Sequence, residues 1–302
     1  MEAIPLQLSD PCILCGNRGD SPRISATLRD SNAHSVVCCG ACGHGQISPL
    51  PDAAEDQAFY DADLQTKNLD EKLDLPALRR KKAHDTARRI TFLEERGFKP
   101  GVSLLDVGSG YGIFLAEAHR FGYRATGLEI SEERRKLAKT LTSAPILNMN
   151  LMRDGQGLGT FDVITLFHVI EHLTQPQELL RRLANHLSPE GALLVEAPNL
   201  EDRMARLSPA YRNFLWQRAH VSYFTPSGLR KILEQSGYRR VEIFGLQRYG
   251  IGNALHWMLR GTPQIQEPSF KTGGIGRPLE RGYKRWLERR LCSDTLMAVA
   301  HL

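Results

Sequence analysis

Leu104-Leu105-Asp106-Val107-Gly108-Ser109-Gly110-Tyr111-Gly112 decides the fold. A buried-strand pattern runs into closely spaced glycines and then into a helical pattern. Glycines at such a turn let a backbone approach a ligand without a Cβ in the way. About 20 residues on, Glu129 closes the next strand pattern, where an acid can accept hydrogen bonds from both hydroxyls of a ribose. The spacing is G-x-G-x-G rather than the G-x-G-x-x-G of dinucleotide sites, and Asp106 stands two residues before the first glycine. An anion there suits a cationic ligand end better than a pyrophosphate. S-adenosylmethionine has an amino group, a sulfonium and a ribose, and it carries no phosphate.

Outward from this loop, short apolar runs alternate with helical patterns, as in a parallel sheet with crossover helices. Strands are expected at 103–107, 125–129, 145–148, 161–167 and 192–196, then at 240–246 and 294–300. Ser131 reads as an N-cap, a helix is expected over 175–187, and Thr225-Pro226 opens another that ends near Gln235. Before the loop, residues 52–100 read as a charged helical linker, with an apolar face built from Ala83, Ala87, Ile90 and Phe92-Leu93. Two segments, 201–225 and 247–293, are expected to cap the sheet edge and form the acceptor pocket. The Gly/Pro-rich middle of the second, 261–276, reads as loop.

Four further motifs carry a family resemblance. They are Phe161-Asp162-Val163-Ile164, then Phe167-His168-Val169-Ile170-Glu171-His172-Leu173, then Val195-Glu196-Ala197-Pro198-Asn199, and then His220-Val221-Ser222-Tyr223-Phe224-Thr225-Pro226. With the glycine loop, they make residues 101–246 resemble a class I S-adenosylmethionine-dependent methyltransferase. The resemblance implies an α/β, Rossmann-like sheet of seven strands with the last antiparallel. It implies that Asp106, Gly108 and Gly110 line the amino-acid end of the cofactor and that Glu129 holds the ribose. It further implies that Phe167 and His168 flank the methionine portion and that Asn150 faces the adenine.

Five of the six cysteines fall in the first 42 residues. Cys12-Ile13-Leu14-Cys15-Gly16 and Cys39-Gly40-Ala41-Cys42-Gly43 are two C-x-x-C-G knuckles, which predict a small N-terminal zinc-binding domain over residues 1–50. Cys12, Cys15, Cys39 and Cys42 would fill all four positions of a structural ion, with Cys38 an alternative to Cys39. The family implication extends here: bacterial sugar methyltransferases of surface-polysaccharide pathways often carry such a unit. Those that methylate nucleotide-linked sugars at carbon have a Tyr and a Glu near the histidine and an added C-terminal domain. Here Gln217, Arg218 and Ala219 precede His220 and the chain ends after its last expected strand, which points to O-methylation.

A sugar hydroxyl is a poor nucleophile, and a general base is worth roughly 10²–10⁴ in rate. His168, His172 and His220 are the candidate bases, with His220 and then His168 preferred and His172 equally able to cap the next helix, each weighed against a purely structural histidine. Glu196 and Asn199 are candidate substrate contacts, Trp216, Tyr223 and Trp257 candidate stacking surfaces, and Arg277 or Arg281 candidate phosphate holders. The expected partner is a small-molecule or glycan acceptor. Net charge is only +5, from 39 basic and 34 acidic residues, so a nucleic-acid partner is not expected, although the knuckles and the basic run at 277–290 keep an RNA methyltransferase as the competing reading. A binding module without catalysis is the third, and the intact loop and Glu129 argue against it. No apolar run approaches the ~18 residues of a membrane span, and the chain opens without a secretory pattern, so the expected address is the cytosol.

Overall fold

The computed structural model describes residues 5–7, 10–52, 55, 74–154, 157–264 and 276–302. Two sheets organise them. The larger has seven strands: β5 (Ser103–Val107), β6 (Arg124–Leu128), β7 (Ile146–Leu147), β8 (Phe161–Phe167), β9 (Leu187–Pro198), β11 (Arg240–Leu246) and β12 (Thr295–His301). Their order is β11-β12-β9-β8-β5-β6-β7. β5 to β9 are mutually parallel, and β12 runs antiparallel to both β9 and β11. The expected fold class therefore stands. The strand order reverses between β5 and β8, and the crevice at such a switch point is where open α/β sheets bind ligands.

The central strands read as unbroken apolar runs because both of their faces are covered. On one face Leu105, Ile164 and Leu193 pack with Leu179, Leu183, Leu229 and Ile232, which come from α4 (Pro176–Ala184) and α7 (Pro226–Gln235). On the other, Leu104, Val163 and Leu194 pack with Ile90, Leu93, Phe114 and Leu115, from α1 (Leu75–Glu95) and α2 (Ile113–Arg120). Local signals place the helix starts. Ser131 accepts from Arg134 N to cap α3 (Glu132–Ala138), and Thr225 accepts from Gly228 N to cap α7.

The smaller sheet joins β1 (Pro5–Gln7), β2 (Asp20–Ser25), β3 (Ser35–Cys38) and β4 (Gly45–Ser48) to β10 (Ser222–Tyr223), in that order. The cysteine-rich unit thus shares its sheet with the segment that follows His220. Its Cys12, Leu14, Val37 and Cys39 belong to the same buried cluster as α4 and α7. A second shared cluster holds Leu28, Val36 and Ile47 against Trp216, Val221 and Tyr223.

One expectation changes. The inner face of α1 is not the alanine face: Ala83 and Ala87 are exposed, while Asp85, Thr86, Ile90, Phe92 and Leu93 are buried. Buried charges, described below, turn the helix. The capping segments form α5 (Arg203–Leu207), α6 (Pro209–Leu215), α8 (Ile251–Arg260) and α9 (Arg277–Arg289), and α5, α6 and α8 pack on one another through Met204, Ala205, Tyr211 and Trp257. Most of the loop expected at 261–276 lies outside the described residues. No helix among the described residues is long and apolar enough to cross a membrane.

Leu194 is fully buried, whereas Leu259 on α8 is 81% exposed. Leu194→Ala should cost about 2–5 kcal/mol of unfolding free energy. Leu259→Ala should stay within about 0.5 kcal/mol. Denaturant melts of the two variants check both values.

Candidate active site and cysteine cluster

The glycine loop follows β5 at the switch point. Gly108 has φ +70°, and a Cβ there would meet Val169 Cγ2 at 2.6 Å, so both backbone and packing require glycine. Gly110 has φ +56° and open space where its Cβ would be. Its N–H donates to Glu129 Oε2 at 2.9 Å, and Ser131 N–H donates to Oε1 at 2.8 Å. The loop and the acid after β6 are therefore locked together, and each carboxylate oxygen keeps acceptor capacity for a ligand hydroxyl. Asp106 is buried and accepts from Thr165 Oγ1 at 2.8 Å. Burial pushes its carboxyl up to about 7, against the Thr165 hydrogen bond and the Arg89 charge. Ser109 Oγ is buried with no hydrogen-bond partner among the described residues. Asn150 Oδ1 accepts from Met152 N at 3.0 Å, which commits its carbonyl to a local turn.

Across the switch point, Phe167 meets Phe114 edge-on with centroids 5.0 Å apart, and the Arg89 guanidinium lies 4.4 Å from the Phe167 centroid. His168 has φ +56°, an uncommon conformation for a non-glycine residue. Its N–H donates to Glu196 O at 2.8 Å. Its Nδ1 lies 3.1 Å from Glu171 Oε1, and its Nε2 lies 3.2 Å from Glu196 Oε1. Burial disfavours the charged ring, but the two carboxylates outweigh it and raise the pKa. With both nitrogens on carboxylates, His168 is placed as an imidazolium donor.

Glu196 is fully buried. Besides His168, it takes Arg88 at 2.7 Å and Arg89 at 2.8 Å, which outweigh its burial and hold it well below the carboxylate range. Asp85 is held low by Arg248, which reaches it at 2.6 and 3.1 Å. Sequence reasoning missed Asp85, Arg88, Arg89 and Arg248, because a charged helix reads as solvated and nothing local says which charges face inward.

The third group is Glu171, His172 and His220, whose ligand-capable atoms all lie within 4.8 Å of one another. Burial pushes His220 down to about 3, so its ring is neutral. Its Nε2 faces Gln217 Nε2 at 2.7 Å, and Gln217 in turn accepts from Arg29 of the N-terminal unit.

Other expected contacts are placed elsewhere. Asn199 is buried and donates to the carbonyls of Leu291 and Ser293, which makes it a brace between loops. Glu196 meets arginines and a histidine rather than a free surface. Trp216, Tyr223 and Trp257 are 2%, 4% and 4% exposed, so they are core and offer no stacking platform. Arg277 and Arg281 face solvent.

Cys12, Cys15, Cys39 and Cys42 converge, with Cys12–Cys42 and Cys15–Cys39 sulfurs 3.6 and 3.7 Å apart. A tetrahedral zinc with bonds of about 2.3 Å needs sulfurs roughly 3.8 Å apart, so the cluster fits that ion. The two knuckles repeat one geometry: Gly16 N–H donates to Cys12 O, and Gly43 N–H donates to Cys39 O. Cys38 turns away from this cluster and donates to Gly43 O.

A family model described as a methyltransferase domain matches residues 78–243. The chain belongs to this family. It is an S-adenosylmethionine-dependent methyltransferase. A ubiquinone biosynthesis O-methyltransferase of Coxiella burnetii is 25% identical over 179 residues, covering 55% of this chain and 75% of that one. One from Caulobacter vibrioides is 33% identical over 105 residues, or 33% of this chain and 42% of the relative. Among solved structures, the magnesium protoporphyrin IX methyltransferase of Synechocystis superposes with a TM-score of 0.51 at 14% identity, covering 83% of this chain and all of that one. A methyltransferase of Archaeoglobus fulgidus gives 0.50 at 19%, covering 73% and 93%. These superpositions share the fold of the methyltransferase.

Asp85→Asn should remove the charge that holds Arg248 and cost about 3–5 kcal/mol. The Asp85 carboxyl is depressed by folding, so its contribution is present above the unfolded carboxylate pKa and is lost as pH falls toward the folded value. The variant should therefore lose stability at neutral pH and show a shallower acid limb, as read by thermal melts across pH.

Proposed function

We propose that this methyltransferase moves a methyl group onto a hydroxyl oxygen of a small-molecule or glycan acceptor. S-adenosylmethionine supplies an electrophilic methyl on sulfur. Asp106, Gly108 and Gly110 hold its amino-acid end, Glu129 takes its ribose, and the Asn150 amide faces the adenine. Phe167 and His168 border the methionine portion. The fit rests on the open cradle at Gly110, the remaining acceptor capacity of Glu129 and the unpartnered buried hydroxyl of Ser109. Much of the acceleration in such a displacement comes from holding nucleophile and methyl in line.

The single observation that carries the hydroxyl acceptor is the Glu171–His172–His220 cluster beside the loop after β8. A hydroxyl must shed its proton to react, and these side chains are grouped to meet it. The low proton affinity of His220 means that it acts with its two neighbours rather than as a lone base. The resemblance to polysaccharide-pathway enzymes favours a sugar hydroxyl. The names of the relatives favour a phenolic hydroxyl as the second reading. Labelled methyl transfer from S-adenosylmethionine to panels of sugars, glycans and catechols tests both, and transfer to nitrogen or carbon alone would overturn O-methylation.

We further propose that the four clustered cysteines hold one structural zinc. With every position filled by protein, such an ion takes no part in the reaction. A cytosolic setting keeps those thiols reduced. Metal analysis should find close to one zinc equivalent per chain, lost in Cys39→Ser and kept in Cys38→Ser.

Glu129→Ala should weaken S-adenosylmethionine binding by about 1–3 kcal/mol in calorimetry. Tight binding of a nicotinamide cofactor instead would overturn the cofactor assignment. Asp106 adds a pH dependence. It is protonated below about 7, and the ammonium of the cofactor favours its ionised form. Affinity should therefore fall as pH drops below 7, by up to about tenfold per pH unit, and Asp106→Asn should flatten that slope.

A further inference from the structure

In sequence, residues 277–290 carry six basic and two acidic side chains and read as a mixed-charge helix. The structure sorts those charges by face. Glu280 is buried, as is Leu287 two turns on. Lys284 turns inward to donate to Arg248 O at 2.9 Å, and Glu288 Oε1 accepts from Gln247 N–H at 3.0 Å. The charges left outside are all arginines: Arg277, Arg281, Arg285, Arg289 and Arg290. Leu279 and Trp286 stand on the same outer side, 68% and 44% exposed. We propose that this face of α9 docks the protein on the surface of an anionic phospholipid bilayer.

On a helix, residues four apart form a row, and residues seven apart nearly coincide. Arg281, Arg285 and Arg289 therefore make a cationic row, with Leu279 and Trp286 as an apolar row beside it. Arginines that meet lipid phosphates while an apolar row enters the headgroup boundary are the arrangement of a helix lying in a membrane interface. Tryptophan is at home at that depth. The Arg290 guanidinium lies 5.2 Å from the Trp286 centroid, so the ring brings a cation of its own to the phosphates. α8 opens against α9, since a Cβ at Gly250 would meet Glu280 Oε1 at 2.8 Å. It adds exposed Leu255, Met258 and Leu259, spaced to share one side of that helix.

Charge and chemistry choose the occupant. A second copy docked through the same face would set arginine row against arginine row, and like charges across a contact repel. A nucleic acid would suit the arginines, but Leu279, Leu255, Met258 and Leu259 offer a base neither a stacking plane nor a hydrogen bond. A bilayer uses both rows, its phosphates meeting the cations and its acyl boundary the apolar side chains. That docking brings the enzyme to acceptors carried on lipids rests on the methyl-transfer reading above. The surface itself does not.

Trp216 and Trp257 are core, so Trp286 is the reporter among the three tryptophans. The full zinc-replete chain is mixed with vesicles of phosphatidylcholine, alone or with phosphatidylglycerol. Flotation reads binding, and brominated acyl chains read the depth of Trp286 by quenching. The anionic vesicles should bind at least about tenfold more tightly than the neutral ones, quench Trp286 and release the protein as salt rises. Arg285→Glu combined with Arg289→Glu should lose at least about tenfold in binding. Leu279→Ser should weaken binding at low and high salt alike, because an apolar contact is not screened. Thermal melts show that both variants are folded. Equal binding to neutral and anionic vesicles, or binding untouched by the charge reversals, overturns the proposal. So does an oligonucleotide that binds through the same arginines more tightly than the anionic vesicles at equal salt. Failure of acrylamide to quench Trp286 without vesicles also overturns it, since a second copy or the chain's own residues then cover the face. If the vesicles behave as stated but S-adenosylmethionine fails to bind in calorimetry, the surface stands and its tie to methyl transfer falls.

Discussion

The Glu196 carboxylate is the constraint around which the site is arranged. It sits at the end of the longest strand of the large sheet, with no access to solvent. An unpaired anion in such a place is prohibitively expensive. Arg88 and Arg89 from α1 and His168 from the loop after β8 converge on it. Meeting that one requirement docks α1 onto the sheet edge, brings the Arg89 guanidinium over Phe167 and draws His168 into a left-handed conformation. His168 then passes the constraint on by holding one oxygen of Glu171.

This chain of charges explains why two histidines with similar sequence credentials diverge. His168 lies between two carboxylates and keeps its proton. His220 lies near another imidazole and under protein, and it gives its proton up. Only part of this follows from local sequence: Glu171 lies three residues from His168, but its second carboxylate, Glu196, and the burial of His220 beside Glu171 and His172 are set by parts of the chain far away.

The legible parts of the fold were those with local causes. β5, β8 and β11 begin and end where their apolar runs do, and the Ser131 and Thr225 caps set the starts of α3 and α7. The glycine loop and Glu129 were legible because backbone strain and hydrogen bonding demand particular residues at particular spacings. The cysteine cluster was legible because each knuckle is a local turn. Unreadable features came from tertiary pairing. The inward face of α1 keeps Ile90, Phe92 and Leu93 of its apolar pattern but replaces the expected alanines with Asp85 and the partly buried Arg88 and Arg89, because Glu196 and Arg248 wait for them. The aromatics Trp216, Tyr223 and Trp257 look like a sugar platform in sequence, yet the first two pack against the N-terminal sheet and Trp257 packs among the capping helices. The sharing of β10 between the N-terminal sheet and the body of the enzyme left no mark in a two-residue strand.

That shared strand bears on how the chain is made. Gln46 pairs with Ser222, 176 positions later. The cysteine knuckles and their strands are translated long before that partner strand. The outer edge of β4 then has no partner until most of the protein has been synthesised. An open strand edge is a template for wrong pairing, and contacts so distant in sequence form late. β4 is short, with four residues in Gly45–Ser48, and Pro49 and Pro51 follow it directly. Proline cannot donate to a neighbouring strand, so the nascent edge is stopped from extending while it waits for its partner.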